Sequence, residues 1–180
     1  VSILGITIAG ADSGNYSLTQ PTTTANITAA TLTVTGITAA DKNYDGTTTA
    51  SVNTGAAAFS GVIGSDAVTI VTSGVTGAFS TAGFGTNKTV QISGVSKSGT
   101  DAANYSITQP TTTASISKNV LTVTGITAAN KTYDATTTAT LSTGSAALVG
   151  VQNGETLTLN TGSATGAFGD KNVGLSLIHI

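Results

Sequence analysis

The chain has 180 residues, a formal net charge of −2, 8% charged side chains and 39% apolar ones. Its six cations are scattered single lysines, which argues against a nucleic-acid surface, and no apolar run reaches the roughly 18 residues of a membrane helix. The ample apolar fraction argues against disorder, and the absence of Cys removes any disulfide framework or thiol nucleophile.

Thr, Ala, Gly and Ser fill most of the remainder. Thr and Val favour a pleated, half-buried backbone, while Gly and Asn mark turns, so the mixture reads as β-rich. In chain order, residues 1–30 read as the C-terminal part of a preceding repeat. They contain the run Asn15-Tyr16-Ser17-Leu18-Thr19-Gln20-Pro21. A first strand follows, with Leu32 and Val34 on one face and Thr33 and Thr35 on the other. Next comes Lys42-Asn43-Tyr44-Asp45-Gly46-Thr47-Thr48, whose Asp45-Gly46 step predicts a turn. Ala56 to Phe59 suggests a short helical turn, as does its counterpart Ala146 to Leu148. After a turn at Gly64-Ser65-Asp66, alternation predicts strands at Val68 to Ile70, at Val90 to Ile92 and at Tyr105 to Thr108. The intervening turns are Gly83-Phe84-Gly85 and Ser98-Gly99-Thr100-Asp101.

From there the chain repeats itself. Asn104 to Pro110 restates Asn15 to Pro21 at an offset of 89 residues, and Leu121 to Thr127 restates Leu32 to Thr38 at the same offset. Gly166-Ala167-Phe168 restates Gly77-Ala78-Phe79. Residues 15–50 and 104–139 share 27 identities in 36 ungapped positions, a level that makes them copies of one folding unit. The chain is therefore expected to hold the end of one unit (1–30), a complete module (31–119), a truncated module (120–174) and a tail (175–180). A unit this long is the size of a small domain, and no shorter period suggests a solenoid. The expected fold class is all-β: tandem small antiparallel modules, sandwich or β-grasp-like, in an elongated array. Short, fairly stiff connections are expected between units.

The repeat expects Thr-Asn-Lys-Thr-Val after Gly174, but the chain reads Leu175-Ser176-Leu177-Ile178-His179-Ile180. This hexapeptide resembles the translation of a sequencing-library adapter end and is read as non-native, packing poorly or extending a strand by accident. The single His lies within it, so the rest of the chain has no His, Cys, Arg or Trp. Neither a Ser-His-Asp arrangement nor a His metal site can be assembled from that set. Carboxylates are the remaining candidates: Asp12 with Asp101, Asp45 with Asp134, and Asp66 with Glu155 occupy equivalent positions. Each neighbours turn residues, where Asp ordinarily bonds backbone N–H groups. Paired acid–base catalysis has no support in the spacing. A Ca²⁺ site between units is the remaining metal reading, although the ligand-dense run of a Ca²⁺ loop is absent.

The pattern Lys42-x-Tyr44-Asp45-Gly46-Thr47-Thr48 and its copy Lys131-Thr132-Tyr133-Asp134-Ala135-Thr136-Thr137 resemble the YDG repeat domain. The Asn-Tyr-Ser-Leu/Ile-Thr run and Asp170-Lys171-Asn172-Val173-Gly174 extend that likeness over nearly the whole unit. The family resemblance implies a repeat of large, secreted, filamentous-haemagglutinin-like bacterial adhesins, located at the cell surface and associated with the outer membrane. It implies a stalk or display role in cell adhesion, without catalytic residues, cofactor or metal. A carbohydrate- or protein-binding module is the alternative. Expected partners are the neighbouring repeats, with host glycans or proteins as external candidates, and neither nucleic acid nor a membrane span. Lys42, Tyr44, Asp45, Gly46, Lys131, Tyr133 and Asp134 are the candidate motif residues. They read as a structural hinge, Tyr filling a junction and Asp holding the turn; the other reading is a ligand-contact loop with exposed Tyr. Because Ala135 stands where Gly46 does, a left-handed backbone at this position is not expected to be obligatory.

Overall fold

The computed structural model describes residues 1–152, 154–174 and 178–179. The central copy holds β1 (Ala30–Thr35), β2 (Thr38–Ala39), β3 (Lys42–Asn43), β4 (Thr49–Ala50), β5 (Val52–Asn53) and β6 (Ala58–Ser60). It continues with β7 (Thr69–Val71), β8 (Thr76–Phe79), β9 (Gly85–Ser93), β10 (Ser96–Ser98), β11 (Tyr105–Thr108) and β12 (Thr111–Ser117). The following copy holds β13 (Thr122–Thr124), β14 (Thr127–Ala128), β15 (Thr138–Ala139), β16 (Leu141–Ser142), β17 (Ala147–Val149), β18 (Gly166–Phe168) and β19 (Ile178–His179). The protein is all-β, built from several small, mostly antiparallel sheets.

The largest sheet runs β3-β12-β9-β8-β4, and a second runs β11-β1-β6. Both contain a parallel pairing, β1 with β11 and β3 with β12, between segments more than 70 residues apart. The expected antiparallel pairing dominates, and these two parallel pairs are added to it. The parallel pairs form because each joins the beginning of the copy to its end, a separation ample for the long crossover a parallel pair needs.

Strand alternation places the core. Leu32 and Val34 point inward from β1, while Val90 and Ile92 do so from β9. The core combines Val34, Ile37, Ala50 and Phe79 from the first half of the copy with Val90, Ile92, Val95, Ala114 and Ile116 from the second. Neither half closes it alone. Among the described residues, only Ala139 of the buried apolar side chains lies outside positions 32–116.

Identical repeat positions therefore have different fates. Leu32 is 0% exposed, but Leu121 is 37% exposed; Tyr105 is 3% exposed, but Tyr16 is 73% exposed. Residues 1–30 keep two local features of a second half, and residues 120–174 repeat the first-half pairings as β13 with β17, β14 with β16 and β15 with β18. The short 3₁₀ turn Ser13–Asn15 matches Ala102–Asn104, and the bridge between Ser2 and Thr22 matches the pair Gln91 and Thr111.

The helical turns expected at Ala56 to Phe59 and Ala146 to Leu148 do not form. Ala58–Ser60 and Ala147–Val149 are strands, paired with β1 and β13. Ala is a strong helix former, but propensity is a small bias per residue, and pairing with an alternating Thr/Val strand overrides it. Gly36 and Gly125 permit these close pairings: both have positive φ, and a Cβ would collide with the carbonyl of Ala56 or Ser145.

Of the tail, residues 175–177 and 180 lie outside the described residues, so the expectation of poor packing there falls outside them too. Ile178 and His179 pair with Phe168 and Ala167. In the central copy, Phe79 and Ala78 pair with Val90 and Gln91. The tail strand thus takes the place of β9, one residue out of the register that the repeat implies.

Candidate functional site

The repeated motif forms a clip around a lysine. The Lys42 Nζ donates to Asp45 Oδ1 at 2.8 Å, to the Thr47 carbonyl at 2.9 Å, to Thr47 Oγ1 at 3.0 Å and to the Thr49 carbonyl at 3.0 Å. Asp45 Oδ1 also accepts the Thr47 backbone N–H at 2.9 Å and the Thr47 hydroxyl at 2.9 Å. This is an Asx turn locked by a cation. The ammonium lies 5.6 Å from the centroid of the Phe79 ring, a core residue, so the clip sits directly over the core.

The copy repeats the arrangement. Lys131 Nζ reaches Asp134 Oδ1 at 2.7 Å, the Thr136 carbonyl at 2.7 Å and Thr136 Oγ1 at 2.8 Å, with Phe168 at 5.6 Å. The hydrogen bond from the lysine, then those from Thr47 or Thr136, hold the Asp45 and Asp134 carboxyls down at about 2. Gly46 and Ala135 both take positive φ, 76° and 63°. The left-handed position is therefore retained where Gly is lost, because the Asx turn and the lysine clip impose it on Ala135.

The two tyrosines of the motif sit differently. Tyr44 packs against the core cluster, and its hydroxyl donates to Glu155 of the following copy. That bond, followed by desolvation, raises the Tyr44 pKa above its ordinary value. Tyr133 is exposed. Around Tyr44 the two copies enclose an open groove that also involves Phe84, Leu121, Gln152 and Leu157. Asn119 crosses this junction, its Nδ2 donating to the Gly150 carbonyl at 2.7 Å.

Four other aspartates also accept hydrogen bonds within the chain. Asp101 accepts the Ala67 N–H at 2.8 Å, Asp41 accepts the Ser115 N–H at 2.6 Å, and Asp170 accepts the Asn172 N–H at 2.7 Å. Asp66 accepts the Tyr105 hydroxyl at 2.7 Å, and that oxygen accepts the Ile63 N–H at 2.9 Å. Among the described residues no group of three or more His, Asp or Glu side chains is placed to hold a metal.

One further repeated clasp escaped the motif reading. Gln109 bonds both backbone groups of Val95, at 3.0 and 2.8 Å, and Gln20 does the same to Ile6, at 3.2 and 2.7 Å. Its signal was present in the repeated Thr-Gln-Pro run, but a glutamine between strand and proline carries no turn chemistry that marks it. Phe79 and Glu155 were missed as partners for another reason: the contacts that recruit them are tertiary.

Sheets of this kind and a motif tied into its own turns define a tandem-repeat, all-β protein. Residues 28–114 and again 117–176 match the YDG domain family, and the chain belongs to that family. Comparison with curated proteins and with solved structures returned no match.

Proposed function

We propose that this chain is a stalk or display segment of a secreted, filamentous-haemagglutinin-like bacterial surface adhesin, and that it contributes to adhesion mechanically rather than by catalysis. The observation that carries this reading is the repeated clip. Lys and Asp are committed to the same internal turn in the central and following copies, and Gln clasps the same backbone position in residues 1–30 and in the central copy. Side chains used identically in successive copies serve the unit itself, as expected of an array that transmits extension. Localisation at the bacterial cell surface belongs to the same proposal. No helix among the described residues is long and apolar enough to cross a membrane.

A recognition role is favoured by one observation, the groove beside Tyr44 with Phe84 and Leu157 on its walls. Aromatic and aliphatic walls with a few polar groups suit a glycan or peptide. The two readings separate in one experiment. The 180-residue chain is stretched between a surface and a force probe, and the same protein is titrated against glycan arrays and host matrix proteins. Stepwise unfolding without saturable binding supports the stalk. Saturable binding that Phe84→Ala abolishes, with unchanged unfolding, replaces it by the recognition module.

A further inference from the structure

Tension carried along the backbone enters the central copy at Ala30, the first residue of β1, and leaves it at Ser117, the last residue of β12. Both strands lie inside their sheets. β1 is bonded between β11 and β6, and β12 between β3 and β9. Neither can be stripped from an edge, and each must break two ladders to move.

The direction of the pairings matters as much. β1 runs parallel to β11, from Ala30 opposite Tyr105 to Thr33 opposite Thr108. β12 runs parallel to β3, with Ile116 opposite Lys42 and Ser117 opposite Asn43. In a parallel pair, the N-terminal end of one strand and the C-terminal end of the other lie at opposite ends of the ladder. Opposed pulls on those ends slide the strands lengthwise, against hydrogen bonds that must yield together. An antiparallel pair pulled at its open end yields one bond at a time. Extra bonds sit where the tension arrives. The Ser106 hydroxyl donates to the Ala30 carbonyl at 3.4 Å. The Ser117 hydroxyl donates to Asn43 Oδ1 at 2.6 Å, and the Ser117 carbonyl accepts the Tyr44 N–H at 2.9 Å. Only Gln109 and Pro110 separate β11 from β12, which belong to different sheets. There the Pro110 carbonyl accepts the Ile92 N–H at 3.1 Å, and the Gln109 amide bonds both backbone groups of Val95. Hydrogen bonding to the β9–β10 segment therefore continues where the chain passes from one sheet to the other.

We propose that the central copy is a tension clamp: β1 held against β11, and β12 held against β3, resist lengthwise pulling, and Gln109 couples the two ladders. The clamp follows from the strand pairing alone; the load it meets rests on the stalk reading. The test is forced unfolding of the 180-residue chain in two directions, through cysteine handles in a protein that has no Cys of its own. Ala29→Cys with Lys118→Cys applies tension lengthwise. Thr76→Cys with Ser93→Cys, exposed residues opposite each other at the open end of the antiparallel β8–β9 pair, peels that pair. Each cysteine pair is kept reduced until it is coupled to its handles.

Glycan and matrix-protein binding by the same protein bears on the stalk reading and not on the ratio of the two forces, so the two readings fail separately. At one pulling speed, lengthwise tension should need a severalfold higher force than peeling, since forced unfolding reports the unfolding barrier along the direction pulled. It should release the copy in one step of roughly 250–300 Å, the length of the stretched unit. Gln109→Ala should lower the lengthwise force and leave the peeling force nearly unchanged. An equal loss in both directions makes Gln109 an ordinary stabilising contact and overturns the coupling assigned to it. The two directions are compared with Gln109 in place, so that comparison stands even where Gln109→Ala does not fold. Equal forces in the two directions, or lengthwise extension in several small steps at low force, overturn the clamp.

Discussion

At the scale of single residues, the clip shows how an exposed motif is ordered. Lys42 satisfies its ammonium with one carboxylate, one hydroxyl and two carbonyls while its charge faces the Phe79 ring. The folded Asp45 carboxyl lies at about 2, below its ordinary 3.8. Its stabilising contribution is therefore complete above the unfolded value and is lost as pH falls through the folded one. Acid unfolding followed by circular dichroism should show a decline between 3.8 and about 2, and Asp45→Asn should flatten part of it. Position 46 gives a sharper test. A Cβ there meets only Gln152 at an ordinary 3.7 Å, so the cost of Gly46→Ala is the left-handed backbone alone. Gly46→Ala should destabilise by about 1 kcal/mol, and Ala135→Gly should relieve a similar strain in the following copy. Chemical denaturation of the two variants checks both signs.

At the scale of elements, the repeat separates local from tertiary causes. The lysine clip forms in both copies, since all its groups lie within eight residues. Strand β3 forms only in the central copy, where β12 pairs with it; positions 131–132 have the same motif but no strand. Burial follows the same rule. Leu32→Ala should cost about 2–5 kcal/mol, the range for a core leucine. Leu121→Ala, at the equivalent position on an open face, should cost under about 1 kcal/mol. Denaturant unfolding measures both. Equal costs would mean that the outer copy closes a core of its own.

At the scale of the whole molecule, stability is concentrated between residues 32 and 116, where both halves of a core are present. Amide exchange should be slowest in β9 and β12 and fast throughout residues 1–28, whose apolar side chains have no cover. One link to the following copy is the Tyr44 hydroxyl on Glu155. Because the carboxylate favours the neutral phenol, Glu155→Gln should lower the Tyr44 pKa, read by ultraviolet titration. The raised value also sets a sign. The bond stabilises at neutral pH and is lost as pH rises through the folded Tyr44 pKa.

The sequence by itself determined the β class, the 89-residue period, the faces of the main strands and the turn at Asp45-Gly46. Each depends on neighbours a few residues apart: alternation decides which side chain points inward, and an Asx turn needs only its own backbone. It also made the family legible, through motif residues whose spacing is local. Tertiary structure alone decided that Ala58–Ser60 is a strand, that the first and last strands of a copy pair in parallel, and that Ala135 holds a left-handed backbone. It also decided what becomes of equivalent positions in the two copies. Leu32 and Leu121 follow the same local rules, and only the presence of β11 beside one of them takes it out of water.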